Sequence, residues 1–153
     1  STKISAGTLK VTGALADTAL SVSGGAVYDV DKTDEIGSIE GEGDIDLAPG
    51  ITLTAGGSVD KNFSGVISGG GSFTKVGSGT TTLSGSNTYT GSTKILAGTI
   101  EISGAPNSDS AIAVNSGADL KFNTSGTQYY TGVISGSGSL TKSGIIELPT
   151  AKS

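Results

Sequence analysis

Apolar and polar positions alternate along this chain in short runs, and glycine closes nearly every run. Val66-Ile67, Ser72–Thr74, Thr80–Ser84, Thr93–Leu96 and Thr99–Ile102 are typical. Short runs rich in Thr, Ile and Val with a period of two predict β-strands, and the Gly, Ser and Asn clusters between them predict turns. No stretch carries helical periodicity. Across Thr2–Thr12, turned at Ala6-Gly7, the alternation points Ile4, Leu9 and Val11 inward and leaves Lys3 and Lys10 in water. Leu15–Val30 predicts two more strands turned at Gly24-Gly25. Ala48–Asn62 predicts a further coil with corners at Pro49-Gly50 and Gly56-Gly57.

The text repeats. Residues 37–45 (GSIEGEGDI), 65–73 (GVISGGGSF) and 132–140 (GVISGSGSL) share the frame G-x-I-x-G-x-G-x-apolar. The last two continue alike, as Thr74-Lys75-Val76-Gly77 and Thr141-Lys142-Ser143-Gly144. A second phrase occurs at 2–13 (TKISAGTLKVTG) and again at 93–104 (TKILAGTIEISG). The chain therefore reads as one repeat domain over 1–153, in two imperfect units, 1–91 and 92–153.

Residues 69–104, GGGSFTKVGSGTTTLSGSNTYTGSTKILAGTIEISG, resemble the passenger-associated repeat of bacterial autotransporters. That family's text runs from a Gly-Ser opening through L-T-K-x-G-x-G-T-L-T-L-S-G and N-T-Y-T-G to T-x-I-x-A-G-T-L. The resemblance implies a right-handed parallel β-helix on the outer surface of a Gram-negative cell. The family's membrane-embedded barrel has no counterpart here. With coils of roughly 20 to 25 residues, the chain is expected to make about six or seven.

Composition agrees with a solenoid. Only 34% of the 153 residues are hydrophobic and 5% aromatic, too few large side chains for a compact globule but enough for a thin core of small and β-branched groups. Cys, Met, Trp, His and Arg are absent. Without Cys there is no disulfide framework and no thiolate metal site, and a Cys-free chain suits export. A net charge of −5 gives no electrostatic basis for nucleic-acid partners or an anionic membrane. No apolar run approaches the roughly 20 residues of a membrane span. The chain does not open on a signal-peptide pattern, so export signals are expected to be removed or to lie elsewhere.

Candidate chemistry is sparse. Asp29, Asp31, Asp34, Glu35, Glu40, Glu42, Asp44 and Asp46 are eight of the fourteen acidic residues. Asp29, Asp31, Asp34 and Glu35 have a spacing that suits a hard cation such as calcium, although they lack the EF-hand glycine and terminal glutamate. The competing reading is a solvated strand face, with Glu40, Glu42, Asp44 and Asp46 outward around Ile39 and Ile45. No other cofactor is expected. Asn87-Thr88-Tyr89-Thr90 and Gln128-Tyr129-Tyr130 are the two polar-aromatic clusters. Each reads either as a loop contacting glycans or host proteins, through Asn87, Tyr89, Tyr129 and Tyr130, or as a corner with its tyrosine packed inward.

The ends matter most. A parallel β-helix leaves unpaired backbone groups and an open core at its terminal coils. Pro149 is only a weak block to continuation, and neither end shows a cap helix. Read tail to head, Ile145–Ser153 runs into Ser1-Thr2-Lys3-Ile4 as a shortened version of the internal repeat. Ile4 and Leu9 at one end, with Ile145 and Leu148 at the other, are thus expected assembly surfaces. They would contact either another copy head to tail or an adjoining repeat of a longer chain, and such heterologous contacts build open filaments.

Catalysis is disfavoured. Elimination on acidic polysaccharides by β-helix lyases uses an arginine base, and the corresponding hydrolases use clustered aspartates, usually with a histidine; this chain has neither Arg nor His. A serine nucleophile would have to use lysine as its base, and no partner motif marks one. The leading expectation is a non-catalytic extracellular stalk or filament. A surface adhesin is the alternative, and a polysaccharide-degrading enzyme is the least favoured.

Overall fold

The computed structural model describes residues 1–107 and 109–148; Pro149, read above as a weak block, lies outside them. Eight turns of chain are stacked along one axis. The first carries β1 (Thr2–Ile4) and β2 (Thr8–Val11). The second carries β3 (Ala19–Val22), β4 (Val27–Val30) and β5 (Asp34–Ile36). The third carries β6 (Ser38–Gly41), β7 (Asp44–Leu47) and β8 (Thr52–Ala55). The fourth carries β9 (Lys61–Phe63), β10 (Ile67–Gly69) and β11 (Ser72–Lys75). Then follow β12 (Thr80–Leu83) with β13 (Thr93–Ile95), and β14 (Thr99–Ile102) with β15 (Ile112–Val114). β16 (Asp119–Tyr129), β17 (Ile134–Gly136) and β18 (Ser139–Glu147) complete the stack.

Each strand pairs in parallel with the strand one turn away, which gives three faces. Face one is the eight-stranded sheet β1-β3-β6-β9-β12-β14-β16-β18, face two is β10-β7-β4-β2, and face three is β17-β15-β13-β11-β8-β5. The all-β parallel solenoid is thus as the sequence indicates. The turn count is not: there are eight rather than six or seven. Thr2 pairs with Leu20, eighteen residues on, Ala19 with Ser38, nineteen on, and Thr99 with Asp119, twenty on. Most turns thus fall at or just below the low end of the roughly 20 to 25 residues assumed, although the step from Gly41 to Phe63 is twenty-two.

Alternation fills the interior. Ile4 and Val11 are buried, Leu9 is half-buried, and Lys3 and Lys10 are exposed. Leu53, Phe73, Thr93 and Ile112 stack in one inward row of face three; each fully buried Leu, Ile or Phe of this kind contributes roughly 1.5–3 kcal/mol. The core is thin but continuous from Ile4 to Tyr130.

Glycine forms the corners. The frame G-x-I-x-G-x-G-x-apolar occurs once at each corner of the prism: from β6 to β7, from β10 to β11 and from β17 to β18. Its copies start at 37, 65 and 132, so each falls one face further round the axis. The middle glycine has positive φ every time, at Gly41 (118°), Gly69 (95°) and Gly136 (111°). A Cβ there would collide with the carbonyl of Val22, Leu47 or Val114 in the turn below. A glycine ladder continues upward at the first corner, with Gly65 over the Gly43 carbonyl, Gly85 over Gly65 and Gly104 over Gly85.

Candidate functional site

The acidic stretch does not converge. Lys10 pairs with Asp31 at 2.7 Å and Asp29 at 3.2 Å, and these two hydrogen bonds hold its ammonium above the usual lysine value. Asp34 points inward and is 3% exposed. Its carboxylate accepts the Tyr28 hydroxyl at 2.7 Å, the Leu15 N–H at 3.0 Å and the Glu35 N–H at 3.0 Å. Glu35 points to solvent. The four residues considered for calcium therefore lie in different surroundings, because strand alternation sends Asp34 and Glu35 to opposite sides of face three. Among the described residues no group of three or more carboxylates is placed to hold a metal ion. Glu42, Asp44 and Asp46 are exposed around buried Ile45, and Glu40 pairs with Lys61 at 2.7 Å.

The first aromatic cluster is a buried corner. Over 86–90 the residues alternate, with Ser86, Thr88 and Thr90 outward and Asn87 and Tyr89 inward. The Asn87 side-chain carbonyl accepts the Ile67 N–H at 2.9 Å, and the Tyr89 hydroxyl bonds Thr93 Oγ1 at 2.6 Å. Neither side chain is offered to a ligand. In the second cluster Tyr130 is fully buried, its ring 5.9 Å from that of Phe122 and its hydroxyl donating to the Ser110 carbonyl, whereas Tyr129 is 64% exposed. The register shift between Asn123 and Thr127 adds two residues to β16 and so preserves the inward parity of Leu120, Phe122 and Thr124, which Tyr130 shares and Tyr129 does not.

Burial governs the titrations. Desolvation pushes the Tyr89 hydroxyl up to about 12. Tyr28 rises for the same reason, reinforced by its bond to Asp34, and Tyr130 rises by burial with Tyr89 nearby. A raised folded value means stability that is present below pH 10 and is lost as pH climbs through about 12 and beyond. At about pH 11 these three phenols are expected to remain protonated. Tyrosinate absorbance at that pH should fall well short of four residues, with the remainder appearing together with loss of the β circular-dichroism signal. Complete ionisation with the β signal intact would contradict this burial.

A buried lysine was not anticipated. Lys75 sits in an inward row between Ala55 and Ile95 and is 1% exposed. Its ammonium donates to the carbonyls of Val76 at 2.6 Å and Gly77 at 3.0 Å, while burial lowers its pKa and Asp60 partly offsets that. Its parity with Phe73 is the signal that it points inward.

The ends differ from the middle. β1 and β18 are the two edges of the eight-stranded face. Ile4 and Leu9 are covered by their own turn and the next, whereas Leu140 (47%), Ile145 (56%), Leu148 (50%) and Val133 (67%) stand exposed on the last turns.

The family of passenger-associated-transport repeats matches residues 73–102, the stretch from β11 to β14 that contains Lys75, Asn87 and Tyr89. The adhesin BmaC autotransporter of Brucella suis biovar 1 (strain 1330) is 38% identical over 159 residues. The chain is of the autotransporter passenger type. The alignment takes in 92% of the chain but 5% of BmaC, so the passenger described here spans a small part of that relative's length. No solved structure matches it.

Proposed function

We propose that this passenger is a non-catalytic structural element of the Gram-negative outer surface, a rigid solenoid whose turns stack end to end into a stalk or filament. The observation that carries the reading is the pair of open edges of the eight-stranded face, one of them next to exposed Leu140 and Ile145. An unpaired strand edge beside apolar surface favours addition of another strand. Head-to-tail addition of a solenoid to itself is heterologous and does not close, so it yields filaments. Adhesion, which the name of the related BmaC protein suggests, is compatible with this role, and exposed Tyr129 is the aromatic group available for it. Negative-stain microscopy with light scattering across a concentration series tests the proposal. Unbranched filaments a few nanometres wide that lengthen with concentration are expected; single particles at every concentration would overturn it.

A further inference from the structure

We infer that the last turn receives residues 2–13 of a second copy of the chain in one register, Thr141 beside Lys3 and Lys142 beside Ile4. The inference rests on the end-to-end reading above and supplies what that reading leaves open: which strand adds, and where.

The template lies inside the chain. The phrase 65–77 is covered, one turn later, by the phrase 93–104. β11 pairs with β13 so that Thr74 faces Lys94 and Lys75 faces Ile95. The Leu96 N–H donates to the Lys75 carbonyl at 2.9 Å, and Gly98 lies over the Gly77 carbonyl where no Cβ fits. Each phrase has a second copy, the lower at 132–144 and the upper at 2–13. Within one chain these second copies never meet, since they form opposite edges of face one.

Their faces make the case. A repeated phrase in this solenoid can land on any of three faces, as the corner frame does. The template pair, Thr74-Lys75 and Thr93–Ile95, shares face three. The second pair, Thr141-Lys142 and Thr2–Ile4, shares face one. A copy placed on the last turn without rotation about the axis therefore brings the upper phrase directly above the lower one. In parallel sheets neighbouring strands lie about 4.7–4.9 Å apart, so β1 of the incoming copy continues face one as its next strand.

The uncovered copy also shows what a covering turn would change. Phe73 is fully buried, while its counterpart Leu140 is 47% exposed. Lys75 is buried, while its counterpart Lys142 is exposed and reaches the Gly144 carbonyl at 3.4 Å, the same two-residue reach that Lys75 makes to Gly77. Docking of residues 2–13 covers both. The correspondence holds through Gly144, after which Ile145-Ile146 replaces the Ser78-Gly79 of the template.

Because the chain has no cysteine, disulfide mapping reads the register cleanly. Lys3 and Thr141 are both exposed, outward-facing positions, so Lys3→Cys and Thr141→Cys should leave the fold intact. Paired strands hold their Cα atoms within the 4.4–6.8 Å that a disulfide spans. Equal amounts of the two single variants, mixed at a concentration where light scattering shows assembly and then oxidised, should form a cross-linked dimer at least about tenfold faster than Lys3→Cys mixed with Ser139→Cys. Assembly with no such preference would overturn the register and leave end-to-end stacking standing. Absence of assembly at every concentration would overturn both.

Discussion

Gly65→Ala is expected to abolish the cooperative fold, or to lower its stability by about 4 kcal/mol or more, at the exceptional end for a single substitution. A Cβ at this position would lie far inside van der Waals contact distance of the Gly43 carbonyl oxygen and carbonyl carbon. Neither obstacle is a flexible side chain. To make room, the third and fourth turns would have to separate, breaking the Ser64 N–H to Gly41 carbonyl bond of 2.8 Å and the pairing of Gly41 with Phe63. A domain of ordinary stability has only about 5–15 kcal/mol in total. Gly13→Ala is the matched control, because a Cβ there meets nothing within 4 Å. Urea unfolding followed by circular dichroism should show loss of the transition for the first and little change for the second. Equal midpoints would mean that the turns are not in backbone contact at this corner.

Asp34→Ala has the next largest expected effect. The carboxylate is the acceptor for the Tyr28 hydroxyl and for the Leu15 N–H, and it ties the 13–18 connection to the second turn. Its removal strands three donors, these two and the Glu35 N–H, one of them on a fully buried tyrosine. Leaving buried donors unsatisfied costs roughly 1–3 kcal/mol each, so a loss of about 3 kcal/mol is expected. Tyr28→Phe removes one donor and leaves Asp34 with its two backbone N–H partners, and should cost about 1 kcal/mol. A loss for Asp34→Ala no larger than that for Tyr28→Phe would contradict the bridging role.

The sequence reveals the solenoid because its repeats carry the physics of the corners. Gly41, Gly69 and Gly136 are fixed points of a visible frame, and each is a place where only glycine fits. The faces are not legible. The same frame makes all three corners, so text alone cannot say which corner a copy occupies. For the same reason the turn count follows from pairings such as Thr2 with Leu20, rather than from the spacing of repeated phrases. Asp34 and Lys75 were missed as core groups because their charge outweighed their parity. Asp34 alternates in step with Ile36, and Lys75 with Phe73, so parity already marked both as inward. The groups that satisfy them lie elsewhere in the fold: Leu15 of the preceding turn bonds Asp34, and the corner carbonyls of Val76 and Gly77 bond Lys75. Tyr129 and Tyr130 were separable by parity too: Tyr130 keeps the inward parity of Leu120, Phe122 and Thr124, because the irregularity after Asn123 adds an even number of residues.

The central claim is that the terminal strands are joining surfaces, and hydrogen exchange of β1 and β18 measured as a function of chain concentration tests it most directly. The account predicts fast exchange at both edges in dilute solution, with slow exchange in inner strands such as β9 and β12. On concentration, protection should appear at β1 and β18 together, in parallel with growth in particle size. Edge strands that are already protected in a monodisperse monomer, or that stay unprotected while particles grow, would contradict it.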